Sequence, residues 1–164
     1  RSSMNFIKKY QSLALILLAT YVISLPASII TIPSVATWYV DIVKPNFNPP
    51  NWIFGPVWTT LYALMSVAVW NVWNDLKKIK VYYAKKIIFI YFVHLLVGAS
   101  WSFVFFGMHQ IGLAVFIIVA ILSFVIYLMK IYWPISKVSF YLMTPYLMWS
   151  SYALILNISI WKLN

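Results

Sequence analysis

Cysteine is absent from the 164 residues, which excludes disulfides, thiolate metal sites and cysteine nucleophiles together. Acidic side chains are nearly as scarce. Asp41 and Asp75 are the only two, and they fall in different connecting segments, so no paired-carboxylate acid–base site follows. The two histidines, His94 and His109, stand at spacings that bring neither to an aspartate. A Ser-His-Asp triad therefore has no support, and the clustered ligands of a metalloenzyme are missing. Conventional hydrolytic or metal catalysis is set aside on these grounds. No internal repeat or low-complexity tract interrupts the chain.

What is present is apolar. Hydrophobic residues make up 64% of the chain and charged ones 9%, too little charge for a surface facing water. Five apolar runs reach the length of about 20 residues that a bilayer core demands. They place helices at about 10–30, 49–74, 81–106, 111–129 and 138–161 in one domain over 1–164. The expected fold is an all-α membrane protein, a five-transmembrane-helix bundle with a proline-rich lid loop between the first and second helices. The first run, with Lys8 and Lys9 ahead of it and small residues near Pro26-Ala27-Ser28, also has the outline of a signal peptide. It stays apolar past that site, which favours a span. Arg1-Ser2-Ser3 ahead of Met4 reads as a remnant of expression. Five helices do not divide into equal inverted halves, which disfavours a transporter built from such repeats.

The formal charge of +10 is not a nucleic-acid signal, because no basic helix face or aromatic platform on a polar sheet accompanies it. The lysines stand in the gaps between apolar runs. The N-terminal segment (Arg1, Lys8, Lys9), the second loop (Lys77, Lys78, Lys80, Lys85, Lys86 against Asp75) and the fourth loop (Lys130, Lys137) carry +9 of the +10. All three lie on one side of an alternating topology. By the positive-inside rule the N-terminus is expected in the cytoplasm and the first loop outside.

Chemistry concentrates around residues 44–73. Pro45, Pro49 and Pro50 hold the first loop, 31–48, extended. Asn48 is placed to cap a helix opening on the two prolines, and Pro56 is expected to bend that helix. Beyond the bend, Trp58, Tyr62, Met65 and Val69 share one face, while Trp52, Thr59, Ser66 and Trp70 share another. Interhelical packing with an aromatic belt explains such a pattern; so does a flat aromatic ligand gripped beneath the loop. In the third helix His94, Gly98, Trp101 and Phe105 fall on one face. His94 is either a neutral imidazole bonded to a neighbouring helix, or a pocket donor and weak axial ligand to haem iron. Gly98 with Ser102 also suits close helix contact. The fifth helix aligns Tyr146, Trp149, Ala153, Leu156 and Ile160, and Asn157 beside them must point into the bundle to find a partner.

These residues carry a resemblance. Trp38-Tyr39, Lys44-Pro45, Pro49-Pro50-Asn51-Trp52, Phe54-Gly55-Pro56-Val57-Trp58-Thr59 and Leu61-Tyr62 resemble the signature of the TspO/MBR family, the translocator or tryptophan-rich sensory proteins, also called peripheral-type benzodiazepine receptors. Trp101, Phe105-Phe106-Gly107, Pro145-Tyr146-Leu147, Trp149 and Leu156-Asn157 continue it. The resemblance implies a bundle, often a homodimer, that needs no cofactor and takes porphyrins such as protoporphyrin IX, or haem, as ligand beneath the first loop. It implies pocket aromatics at Tyr39, Trp52, Trp58, Trp101 and Trp149. For members that degrade porphyrin photo-oxidatively, the matching positions are Trp58 and Trp149. The site expected here comprises those five with Asn48, Tyr62, His94, Gly98, Phe105 and Ala153. Its surroundings are the lipid bilayer, of a bacterial inner membrane rather than a mitochondrial outer one, and no nucleic acid. Three departures stand out: Gly98 where the family usually has Asn, Ser66 where it usually has Gly, and Ile158 where the cholesterol motif of animal members needs Tyr. Three functions compete: tetrapyrrole binding with a sensing or handling role, tryptophan-dependent photo-oxidation, and transport of porphyrin or sterol-like amphipaths. Transport is weakest, for want of an intramembrane acid to couple a proton gradient.

Overall fold

A computed structural model describes residues 2–164. The chain forms α1 (Ser2–Ala36), α2 (Trp38–Asp41), α3 (Asn51–Leu76), α4 (Val81–Ser102), a π-helical turn (Phe103–Gly107), α5 (Ile111–Tyr132) and α6 (Lys137–Leu163). No strand occurs among the described residues. Ser2–Ala36, Asn51–Leu76, Val81–Gly107 and Ile111–Tyr132 are long and apolar enough to cross a membrane. Even α5, with 22 residues, is about 33 Å long against a hydrocarbon core of about 30 Å. α6 is longer, at 27 residues, but its buried Ser139, Ser150 and Asn157 dilute the apolar run.

Side-chain bonds fix the register. Trp70 Nε1 donates to Ser12 Oγ (3.0 Å) and Tyr21 Oη to the Thr59 carbonyl (2.7 Å), so α1 and α3 run antiparallel. His94 meets Tyr146, and Trp101 meets Asn157, so α4 and α6 run parallel. This up-and-down order brings Lys8 and Lys9, the α3–α4 turn with its lysines, and Lys130 and Lys137 to the same end of the molecule.

That end is solid. Met65, Val69 and Val72 of α3, Tyr91 of α4, Val125, Leu128 and Tyr132 of α5 and Met143 of α6 are wholly buried in one cluster. A hydroxyl triad ties three helices there. Thr20 Oγ1 lies 2.8 Å from Tyr91 Oη, and Ser66 Oγ lies 3.1 Å from Thr20 Oγ1 and 3.2 Å from Tyr91 Oη. Each polar group is satisfied by another, which removes the penalty of burying it. Towards the opposite end the helices diverge around a hollow.

Three local expectations need correction. Helix α1 does not stop near Ile30: it runs through Pro33 to Ala36, and Ser2-Ser3 form part of its first turn. The extra turns are anchored where Ser34 Oγ donates to the Phe106 carbonyl (2.9 Å), and α2 shortens the first loop further. Arg1 lies outside the described residues. Asn48 caps no helix; α3 begins at Asn51 after an extended Pro50 (φ −59°, ψ 145°). Pro49 precedes a proline and is thereby forced out of the α region, so the helix cannot start there. The third long helix, finally, ends in a π turn rather than running regularly through Phe106.

Candidate ligand cavity

The hollow has a volume of about 540 Å³, within the range of about 300–1,000 Å³ usual for small-molecule sites. Each helix except α5 brings it an aromatic or hydroxyl-bearing wall. From α3 come Phe54, Trp58 and Tyr62, and from α6 Tyr146, Trp149 and Ala153. α4 and its π turn contribute Gly98, Trp101, Phe105 and Phe106, and Tyr39 and Asn48 close the loop end. Trp58, Trp101 and Trp149, read from three separate spans, thus face one space. On α5 only the apolar Ile118 and Ile121 reach it.

The walls hold one another in place. Trp101 stacks on Phe105 with centroids 4.9 Å apart, and its Nε1 donates to Asn157 Oδ1 (2.9 Å). Asn157 in turn donates to the Ile111 carbonyl (3.0 Å) at the start of α5, so one buried amide fixes both an indole and a helix end. Trp149 meets Phe54 edge-on at 6.0 Å, and Trp58 lies 5.7 Å from Tyr62 and 6.3 Å from Tyr146. Phe105 and Phe106, both in the π turn, reach the cavity.

The loop end is firmly tied. Tyr39, 3% exposed, donates its phenol to Asn48 Oδ1 (3.0 Å); burial pushes that phenol above its ordinary range, so it remains a donor. Lys44 Nζ donates to the carbonyls of Tyr39 (2.7 Å), Ile42 (3.0 Å) and Val40 (3.4 Å) and sits 4.7 Å over the Tyr39 ring. Its protons are committed to the backbone of α2. The Asn164 side chain accepts from Val43 N (3.0 Å) and donates to the Val43 carbonyl (2.8 Å). Tyr152 Oη donates to the Phe47 carbonyl. Trp38 packs edge-on against Phe105 and Phe106 and stacks on His109 at 4.2 Å. To do so His109 takes a left-handed backbone (φ 59°). By contrast, Leu25, Ser28 and Ile32 of α1 and Gly55 and Thr59 of α3 are exposed although they line the cavity. The hollow is therefore open sideways, between α1 and α3.

Of the eleven expected site residues, nine line the cavity and two do not. Trp52 is 74% exposed on the outside of α3. It precedes Trp58 by six residues, which puts it about 120° away around α3. His94 is fully buried one turn deeper than Gly98. Its Nδ1 lies 3.2 Å from the Tyr91 carbonyl and its Nε2 2.7 Å from Tyr146 Oη. Since a carbonyl only accepts, Nδ1 carries the proton and Nε2 accepts from the phenol. Neither nitrogen is free for iron. A His94→Gln variant is expected to leave the visible spectrum of added haem unchanged; a shifted haem absorption band would show that His94 turns to ligate.

Residues of α1 were missed altogether. Tyr21, Ser24, Ser28, Thr31 and Val35 line one wall. Their spacing, with a hydroxyl at nearly every step of one helical face, is the signal that could have found them. Phe54, Phe106 and Ser150 were missed as well.

Taken together, an all-helical chain with several membrane-length apolar helices and an aromatic-walled hollow at one end fits a multi-pass membrane protein with a cavity of small-molecule size. The profile described as TspO/MBR family matches residues 12–162, and the chain belongs to that family. It is 36% identical over 98% of its length to the tryptophan-rich protein TspO of Archaeoglobus fulgidus, covering 99% of that protein. It is 30% identical to protein CrtK of Rhodobacter capsulatus, covering 80% of this chain and 81% of that one. To the human translocator protein it is 29% identical over 77% of this chain and 75% of that one.

Proposed function

We propose that the protein binds porphyrins or haem, protoporphyrin IX foremost, in the cavity under the first loop, and serves a sensing or tetrapyrrole-handling role. The observation that supports this best is the arrival of Trp58, Trp101 and Trp149 at one hollow whose remaining walls mix apolar side chains with hydroxyls, those of α1 among them. A flat macrocycle gains both burial and face contact from indoles. Because Lys44 is spent on its own loop, ligand carboxylates would meet the exposed Asn51 amide and the open side between α1 and α3.

In this reading all five long helices span the bilayer as a bundle. α6 crosses despite its polar groups, since Ser139, Ser150 and Asn157 are turned inward and hidden from lipid. The first loop with α2 acts as the lid. The lysine-rich end, with the N-terminus, faces the cytoplasm of a bacterial inner membrane, and the protein works as a homodimer. Titration of the purified protein with protoporphyrin IX tests the central claim: tryptophan emission should quench along a saturable curve. Quenching that rises linearly, as it does with indole alone, would defeat it.

A further inference from the structure

Ser150 is the one cavity-lining side chain among the described residues whose polar atom is buried and unpartnered. It is 1% exposed, it lines the hollow, and its Oγ makes no hydrogen bond of 3.5 Å or less, although the Tyr146 hydroxyl stands beside it. Other serines on these helices, Ser66, Ser100 and Ser151, turn their hydroxyls back to a carbonyl three or four residues earlier. Ser150 does not. A buried hydroxyl without a partner forfeits the bonds it had in water, and such a group is explained when a ligand supplies them.

One turn before it on the same face stands Tyr146, also lining the cavity. Its hydroxyl proton is given to His94 Nε2 (2.7 Å), because His94 Nδ1 holds its own proton against the Tyr91 carbonyl. The phenolic oxygen thus keeps a lone pair free to accept. Around this pair the wall is apolar: Leu95, Ile118 and Ile121 line the same inner end. Gly98 leaves space there, since a methyl group built on it would meet no atom within 4 Å.

We infer that Ser150 and Tyr146 form a polar anchor at the inner end of the cavity, specific for a hydroxyl group on a flat or polycyclic apolar ligand. The ligand hydroxyl donates to Tyr146 Oη and accepts from Ser150 Oγ–H, an arrangement in which all three oxygens are satisfied. A carbonyl would use only the serine, and a methyl group neither. This assignment rests on the cavity being the ligand site, and it adds a chemical preference that the indole walls cannot supply, because a π-face does not distinguish a hydroxyl from a methyl.

The test compares two fluorescent probes of equal shape, 1-pyrenemethanol and 1-methylpyrene, on the parent and on Ser150→Ala, by energy transfer from tryptophan in lipid nanodiscs. The parent should prefer the alcohol, relative to the partition of each probe into empty nanodiscs. Ser150→Ala should weaken the alcohol by about fivefold to tenfold and leave 1-methylpyrene within about twofold. Without ligand, Ser150→Ala should melt no lower than the parent, since it removes an unsatisfied group. A lower melting temperature would reveal a structural partner and overturn the anchor. A probe ratio unmoved by the substitution would also overturn it, while leaving the cavity reading intact. Failure of both probes to bind the parent would instead defeat the cavity reading, and the anchor with it.

Discussion

Trp149→Ala is expected to raise the Kd for protoporphyrin IX about thirtyfold, and Trp58→Ala by a similar factor. Truncating a central, well-packed indole costs about 2 kcal/mol or more of binding, and about 1.4 kcal/mol is a factor of ten. Both residues meet the criterion of a central contact. Each is half-buried in the empty cavity and held by an aromatic neighbour, Phe54 for Trp149 and Tyr62 for Trp58. The measurement is the same fluorescence titration, with near-ultraviolet circular dichroism to show that the remaining aromatics stay in place. Parent-like affinity in both variants would remove the indole pocket as an explanation. A Trp149→Phe variant separates binding from photochemistry. Phenylalanine keeps a flat wall but not the oxidisable indole, so binding should survive. If the bound porphyrin is degraded under light and oxygen, the new pigment should fail to form in that variant.

The second large effect concerns a residue whose part in the site is indirect. Asn157→Leu should destabilise the protein by about 2–4 kcal/mol and weaken porphyrin binding at least about fivefold. Asn157 is 1% exposed and makes two buried bonds, to Trp101 Nε1 and to the Ile111 carbonyl. Leucine keeps its branched shape but leaves that indole N–H without an acceptor in an apolar wall, and such groups lose about 1–3 kcal/mol each. It also frees Trp101 to turn away from Phe105, on which it now stacks. A denaturation curve reads the stability change, and the protoporphyrin titration reads the loss of alignment. Asn157→Gln, which keeps the amide one methylene further out, should recover part of the binding. An Asn157→Leu protein as stable and as tight-binding as the parent would show that the amide holds nothing.

The two variants differ in kind. Losing Trp149 removes a surface the ligand touches, whereas losing Asn157 removes the reason Trp101 points where it does. The first should change affinity with little change in melting temperature, and the second should change both.

Much of this could be read from the chain alone. Helical periodicity placed Tyr146, Trp149, Ala153, Leu156 and Ile160 on one face of the last helix, and all five line the cavity. It likewise joined Gly98, Trp101 and Phe105. Length and hydropathy located the helices because a bilayer demands about 20 apolar residues whatever lies beside them. The cost of an unpaired amide predicted an inward Asn157 before its partners were known. Lysine placement predicted which helix ends lie together.

What only the tertiary structure decided depends on neighbours that periodicity cannot name. His94 shares a face with Gly98, but Tyr146 and the Tyr91 carbonyl take both its nitrogens and close it off from the hollow. Lys44 is the only cation of the first loop, yet α2 absorbs its charge. Trp52 stands exposed on the outside of α3, although Thr59 on the same helical face lines the cavity. Phe106 lies in a π turn that no local sequence rule announces. A residue's face follows from backbone geometry, which is local; whether that face meets a cavity, a partner or lipid follows from how five helices pack, which is not.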